Sequence, residues 1–243
     1  MYSINHKILP VYKTSNKSIA TLISEFKSKV QLNKPNNILR VGSFNIYKYR
    51  EGNTTAIQGA MYQVLENKID ICGIQEFGSP AGFDSIGVTK IPGAYDYVLD
   101  GTFASHHEMK NCELIPYKSS PSNQTQHYFR VDIVINGKTV RMYNTHLDAY
   151  DPIVTKAEMQ ELALAVKSDP STYKIVVGDF NTRDSNVYNI FANMGYKLAI
   201  PVSEGLLDNI FYSPTIQMLS SEIIPTPPSI TDHDLIYAEL QLL

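Results

Sequence analysis

The chain has no tryptophan, two cysteines and few charges: Asp, Glu, Lys and Arg make up 19% of its 243 residues. Two cysteines cannot form a disulfide framework, so cohesion has to come from a core. Cys72 sits in an apolar run and reads as a buried thiol, and Cys112 could pair with it only if the fold brought the two together. No Cys or His pairs stand at zinc-ligand spacing, which speaks against zinc. No stretch approaches the roughly 18 apolar residues that a membrane span needs. Met1 to Lys17 is polar and contains Pro10, so a signal peptide is not expected and the cytoplasm is the expected location. A formal charge of −3 offers no basic field for gripping nucleic acid non-specifically, although a local basic groove is compatible with it.

What is present points to one large folded domain. Hydrophobic residues at 43% match the globular norm, and the length is ample for a sizeable core. The most informative stretch is Lys174 to Asn181. Ile175, Val176 and Val177 form a β-branched, uncharged run that reads as a buried strand. Gly178 is read as a turn position. Asp179 and Asn181 stand two apart, which in an extended chain puts them on one side. A carboxylate and an amide at a strand end suit a water, a phosphate oxygen or a hard metal ion. An Asx-turn capping the strand is the alternative reading of the pair.

In chain order, Ser18 to Leu32 carries Ile19, Leu22, Ile23, Phe26 and Val30 on a helical stripe. Ile38 to Asn45 reads as a strand with Leu39, Val41, Ser43 and Asn45 on one side. A helix over Ala56 to Asn67 and an apolar run from Ile69 to Gln75 complete a strand–helix–strand unit, which implies parallel neighbours. Between Phe77 and Tyr128 the pattern is weak, with Tyr95 to Leu99 and Glu113 to Tyr117 as candidate strands. Asn136-Gly137 between Phe129–Ile135 and Thr139–Thr145 is a hairpin signal. Asp151-Pro152 opens a helix through Met159, Leu162 and Val166. Asn186 to Met194 reads as a helix ended by Gly195. Gly205 to Ser213 and Leu235 to Leu240 read as strands, separated by an extended loop at Pro225, Pro227 and Pro228.

These apolar strands each deliver polar groups at an end: Asn45, Glu76, His146, Asp179 with Asn181, Asp208, and Asp232 with His233. Any one of them has a structural explanation, but their recurrence at nearly every strand end suggests one site. His106 and His107 fall in a Ser- and Gly-bearing loop and read as solvated. Sixteen tyrosines could offer stacking faces for bases, Tyr47 and Tyr49 first among them because they follow Asn45.

Six segments, in order, carry a resemblance: Ser43-Phe-Asn45, Ile74-Gln-Glu76, Asn144-Thr-His-Leu147, Gly178-Asp-Phe-Asn181, Leu207-Asp-Asn-Ile-Phe211 and Thr231-Asp-His233. In these the chain resembles the endonuclease/exonuclease/phosphatase superfamily, the DNase I-like fold. The resemblance implies an α/β (α+β) four-layer α-β-β-α sandwich over residues 38–243, with residues 1–37 as an N-terminal extension. It implies a metal-dependent phosphodiesterase with Glu76, Asn45 and Asp232 at the metal. Asp179, Asn181, His146, His233 and Asp208 are then catalytic, and Asn45, Asn181 and Tyr47 contact substrate. Oxygen donors of this kind suit Mg²⁺, with Mn²⁺ as a substitute. Nucleic acid is the expected substrate and a monomer the expected state; a phosphatase or phospholipase acting on a lipid or small phosphoester is the alternative. A non-catalytic binding protein on the same scaffold is the reading from another class. It would be expected to lack one of Glu76, Asp179 or His233, and all are present. Thr231 replaces the usual Ser before Asp-His, and Phe77-Gly78 rather than a basic residue follows Glu76. His146 argues against the apurinic-site repair branch.

Overall fold

Alternating apolar residues build two sheets whose inner faces meet. The computed structural model describes residues 37–46, 59–60, 63–64, 66–76, 97–99, 103–122 and 126–243. The expected helix over Ser18 to Leu32, Tyr47 and Tyr49 lie outside these residues, as do parts of the helix expected over Ala56 to Asn67. Residues 59–60, 63–64 and 66 of that helix are helical.

The first sheet contains β1 (Ile38–Asn45), β2 (Ile71–Gln75), β3 (Tyr97–Leu99), β4 (Phe103–Ser105), β11 (Ile216–Ile224) and β12 (Leu235–Leu242). Their order is β11-β12-β1-β2-β4-β3. The second contains β5 (Met109–Pro116), β6 (His127–Ile135), β7 (Lys138–His146), β8 (Tyr173–Asp179), β9 (Lys197–Leu198) and β10 (Asp208–Tyr212), in the order β5-β6-β7-β8-β10-β9. β1 and β2 are parallel, as the strand–helix–strand spacing predicts, and so are β7 and β8. Asn136 and Gly137 both have positive φ, 48° and 79°, which closes the β6–β7 hairpin with the twist its strands require.

Leu39, Val41, Ile71, Val140, Met142, Ile175, Val177, Ile210, Ile236 and Ala238 fill the space between the sheets. A second core lies on the far side of β7, β8 and β10, where α1 (Pro152–Ser168) and α2 (Ser185–Ala192) pack Met159, Leu162, Val166, Val187 and Phe191 against Tyr143, Val176 and Phe211. This is the α/β sandwich of the DNase I type. Asp151 Oδ1 accepts the Ile153 N–H at 2.8 Å and so caps α1, with Pro152 in its first turn. α2 begins and ends earlier than its pattern predicts, because Asp184 supplies the cap and the chain has left the helix before Gly195. Gly205 does not belong to a strand: at φ 72° it ends the short 3-10 turn Val202–Glu204. Cys72 is buried and Cys112 exposed; both are free, so they form no pair.

Gly73 sets how closely the sheets approach. A Cβ there would meet Val177 Cγ2 at 2.3 Å and Asn144 Cγ at 3.0 Å, both from the opposite sheet. Overpacking a core costs about 1–3 kcal/mol. Gly73→Ala is therefore expected to lower the melting temperature by several degrees, read by circular dichroism; an unchanged value would mean that the sheets have slack at this point.

Candidate active site

The inner faces change from apolar to polar toward one end of the sandwich. β1 runs Leu39, Val41, Ser43, Asn45 along its inward side, and β7 runs Val140, Met142, Asn144, His146. β8 ends on Asp179, and β10 begins on Asp208. Because β7 and β8 are parallel and β10 is antiparallel to β8, His146, Asp179 and Asp208 fall in one row across three strands. Asn45 and Glu76 arrive from the other sheet, at the ends of β1 and β2. His233 comes from the loop before β12, which is antiparallel to β1.

Asp179 is the hub. Its Oδ2 accepts from Asn45 Nδ2 at 2.9 Å and lies 3.6 Å from His146 Nε2 and 3.8 Å from His233 Nε2. Asn45 Nδ2 also donates to Glu76 Oε1 at 3.1 Å, and Glu76 Oε1 stands 3.8 Å from His146 Nε2. Glu76 has φ 56°, a left-handed conformation uncommon for a residue with a long side chain and known to gather at functional sites. Of the residues proposed from sequence, Asn45, Glu76, His146, Asp179, Asp208 and His233 converge here. Asp232 is exposed beside them, and its charge reaches His233.

The end of β8 differs from the sequence reading. Asp179 and Asn181 are not an extended pair. Asn181 adopts φ 47°, and its N–H donates to Asp179 Oδ1 at 2.9 Å, so the Asx-turn reading holds. That bond leaves Asp179 Oδ2 facing the histidines. Asn181 Nδ2 donates to Leu147 O at 2.8 Å, tying the segment after His146 to the end of β8. Gly178 is required for contact rather than turning, since a Cβ there would meet the Thr145 carbonyl oxygen at 2.3 Å.

His233 Nδ1 and Asp208 Oδ2 are 2.6 Å apart. Burial pushes the Asp208 carboxyl up to about 7, against the hydrogen bond from His233, which favours its charged form. Burial would lower His233, but the hydrogen bond to Asp208 and the carboxylates of Asp208, Asp179 and Asp232 outweigh it and raise the imidazole to about 9. Near neutral pH the two hold one proton between them on the Nδ1 side, and Nε2 faces Asp179. Thr231 Oγ1 donates to Asn45 O at 3.0 Å and accepts the His233 N–H at 3.3 Å. The hydroxyl that replaces the usual Ser thus fastens the His233 loop to β1.

Among the described residues, potential metal-binding atoms of Asp179, Asp208 and His233 lie within 4.8 Å of one another. Nδ1 of His233 is committed to Asp208, and a hard divalent ion prefers oxygen donors. Glu76, Asn45 and Asp179 supply two carboxylates and an amide across one mouth, a donor set that fits such an ion better. His106 and His107 follow β4, whose Ser105 pairs with Ile71 at the start of β2, the end opposite Glu76. They take no part in the site.

Ser43, Gln75, Asn144 and Thr231 support the site through buried hydrogen bonds, and all four lie in the six segments that carry the resemblance, beside the residues expected to act. Period-two spacing places Ser43 two before Asn45 and Asn144 two before His146, which is the signal that could have found them.

No protein-family model matches the chain, and no curated protein matches it in sequence. Solved structures do. An endonuclease/exonuclease/phosphatase from Bacteroides vulgatus aligns with a TM-score of 0.66 at 18% identity, over 85% of this chain and 99% of that one. TDP2 of D. rerio, solved with a single-strand DNA product, aligns at 0.69 and 15% over 84% and 99%. A mannosyl-6-phosphatase from Bacteroides thetaiotaomicron aligns at 0.66 and 16% over 83% and 99%. The chain has the DNase I-like fold of the endonuclease/exonuclease/phosphatase superfamily.

Proposed function

We propose that this protein is a metal-dependent phosphoester hydrolase, and that its substrate is a phosphodiester of DNA or RNA. The observation that carries the reading is the convergence of Asn45, Glu76, His146, Asp179, Asp208 and His233, from both sheets, at one mouth. Hydrolysis needs a water activated at phosphorus, charge stabilisation on the phosphoryl oxygens, and a proton for the departing oxygen. Asp179 Oδ2 accepts from the attacking water and orients it. His233, protonated and held by Asp208, donates Nε2–H to a phosphoryl oxygen, where negative charge gathers. His146 donates to the leaving oxygen as the P–O bond breaks. Asn181 has a second amide hydrogen for the phosphate. Mg²⁺ held by Glu76 and Asn45, with Asp232 beside them, would offset charge on the phosphoryl group. The catalytic unit in this reading is residues 38–243, acting as a monomer.

Two likenesses bear on the substrate. The TDP2 structure contains a single-strand DNA product, which favours nucleic acid. The mannosyl-6-phosphatase supports a second reading, a small phosphomonoester. Among the described residues, no helix is long and apolar enough to cross a membrane.

The test is hydrolysis of a mixed panel with Mg²⁺, with Mn²⁺ and with EDTA: plasmid DNA, single-stranded RNA, sphingomyelin, an inositol phosphate, mannose 6-phosphate and an aryl phosphodiester. Cleavage of nucleic acid that EDTA abolishes and Mg²⁺ restores is the expected result. Turnover confined to the sugar or inositol phosphate would move the assignment to the second reading. No hydrolysis with either metal would refute the hydrolase.

A further inference from the structure

Beneath the charged residues lies a layer of neutral, buried polar groups that joins the two sheets. Gln75 Nε2 donates to Asn144 Oδ1 at 2.6 Å across the interface and to Ser43 Oγ at 3.2 Å within its own sheet. Asn144 Nδ2 returns a hydrogen bond to the Ile74 carbonyl at 3.1 Å, again across the interface. Ser43, Gln75 and Asn144 are 0%, 3% and 2% exposed, so no bulk water competes for these groups. The residues that fill the space between the sheets next to them, among them Val41, Ile71, Met142, Ile175 and Val177, are apolar. A purely apolar interface would be simpler and no less stable, since buried polar groups gain little net free energy even when satisfied. Gln75 Oε1, moreover, has no partner among the described residues.

The placement of these residues gives them a purpose. Gln75 directly precedes Glu76, Ser43 lies two before Asn45, and Asn144 two before His146. Each is on the strand that delivers a site residue. Gly73 is required for the arrangement, because its missing Cβ is what lets the Asn144 side chain lie against β2. The site itself is split between the sheets, with Asn45 and Glu76 on one side and His146, Asp179 and Asp208 on the other. At the rim the contacts that span the split are of two kinds: Glu76 with His146 and His233 Nε2 with Asp179 stand 3.8 Å apart, while Asn45 donates to Asp179 at 2.9 Å and the His233 loop meets Asp208 at 2.6 Å.

We propose that Gln75 and Asn144 form a positioning clamp that fixes the spacing and register of the two halves of the site. This rests on the hydrolase reading. The apolar core holds the sheets together but is non-directional, so it tolerates sliding. Two reciprocal hydrogen bonds, from a side chain to a side chain and from a side chain to a backbone carbonyl, do not. The clamp touches neither substrate nor metal; it acts through Glu76 and His146.

The test is a double-mutant cycle on Gln75→Met and Asn144→Leu, which keep volume and remove the bonds. Three quantities are read: kcat and KM on the substrate the panel identifies, the Mg²⁺ dissociation constant by calorimetry, and the melting temperature. Outer residues that orient metal or catalytic groups typically cost about 10–100-fold in metal affinity or activity when replaced. Each single variant is expected to lose that much in kcat and in Mg²⁺ affinity, with KM changed little. The double variant should lose no more than Asn144→Leu alone, because that change already removes both bonds across the interface, including the one that Gln75→Met removes. Variants that keep wild-type kcat and Mg²⁺ affinity while melting lower would overturn the clamp and leave a purely structural bridge. Additive losses would also overturn it. Should the apolar variants fail to fold, Gln75→Ala, which removes the donor without adding volume or an acid, decides on the same readouts. A wild-type protein that binds Mg²⁺ but hydrolyses nothing would refute the hydrolase, and calorimetry on the variants would still judge the clamp.

Discussion

Asp179→Asn is expected to lower kcat by about 10³-fold or more while leaving the protein folded, at the upper part of the range for removing a general acid–base group. The change is nearly isosteric. Oδ1 can still accept the Asn181 N–H, so the Asx-turn at the end of β8 survives. What disappears is the negative oxygen that lies within 4 Å of both histidines and accepts from Asn45. An amide nitrogen there would present its hydrogens to Asn45 Nδ2, a donor against a donor. It could neither take a proton from water nor serve a cation. Stability should move the other way. In EDTA the site holds Glu76, Asp179 and Asp208 close together, and the carboxyl of Asp208 is already forced up to about 7, first by burial and in part by the charge of Asp179. Removing one charge relieves that repulsion. The variant is expected to melt no lower than wild type in EDTA and to gain less from added Mg²⁺, by thermal unfolding with and without metal. A variant that retains more than a tenth of wild-type kcat would remove Asp179 from the chemistry.

The site was readable in sequence because of a rule with period two. Apolar residues fix which side of a strand faces inward, and a polar residue at the same parity near the strand end must then face the gap between the sheets. Asn45 and His146 obey this rule, and Asp179 obeys it through Ile175 and Val177. Glu76 does not: it stands one past Gln75 and reaches the site only through its left-handed backbone. Nothing in a residue type signals that for a glutamate. Asn181 misled for a related reason, since extended geometry was assumed where the chain turns. The parity rule equally marks Ser43 and Asn144. They passed as parts of motifs because their partners are on strands far apart in the chain, and pairing across sheets is a long-range property.

The strands that escaped the sequence reading share a cause as well. β11 runs beside β12 for its whole length, yet its alternation is broken by a bulge between Met218 and Ser220, and one face of this edge strand is open to solvent. β4 and β9 have three and two residues, too few to show a period at all. β5 is an edge strand exposed along most of its length and is only partly visible in sequence, because a strand without a buried face carries no alternation to detect. Burial is what writes a pattern into sequence. The strands that position the site are the most buried, and for that reason the site was more legible than the periphery of its own scaffold.

His233→Ala is expected to reduce kcat by about 10³-fold, the upper end for losing one donor to a developing oxyanion, because its Nε2 is the donor pointed at the site from the Asp208 side. The loss should carry a pH signature in the metal-free protein. The folded imidazole titrates at about 9 against 6.5 in the unfolded chain, so folding takes up a proton. Its contribution to stability is complete below about 6.5 and disappears as pH rises through about 9. Asp208, at about 7 against 3.8, has the same sign: its contribution is complete below 3.8 and fades as pH rises through 7. Wild type in EDTA should therefore lose stability from this pair as pH climbs from 4 to 10. The difference in melting temperature between wild type and His233→Ala should be larger at pH 6 than at pH 10, where the imidazole is largely neutral in the folded and the unfolded chain alike. A difference that stays constant across that window would mean His233 is held by packing alone. In that case Asp208 would be an acid buried beside a neutral ring, unable to hold its partner charged at the phosphate.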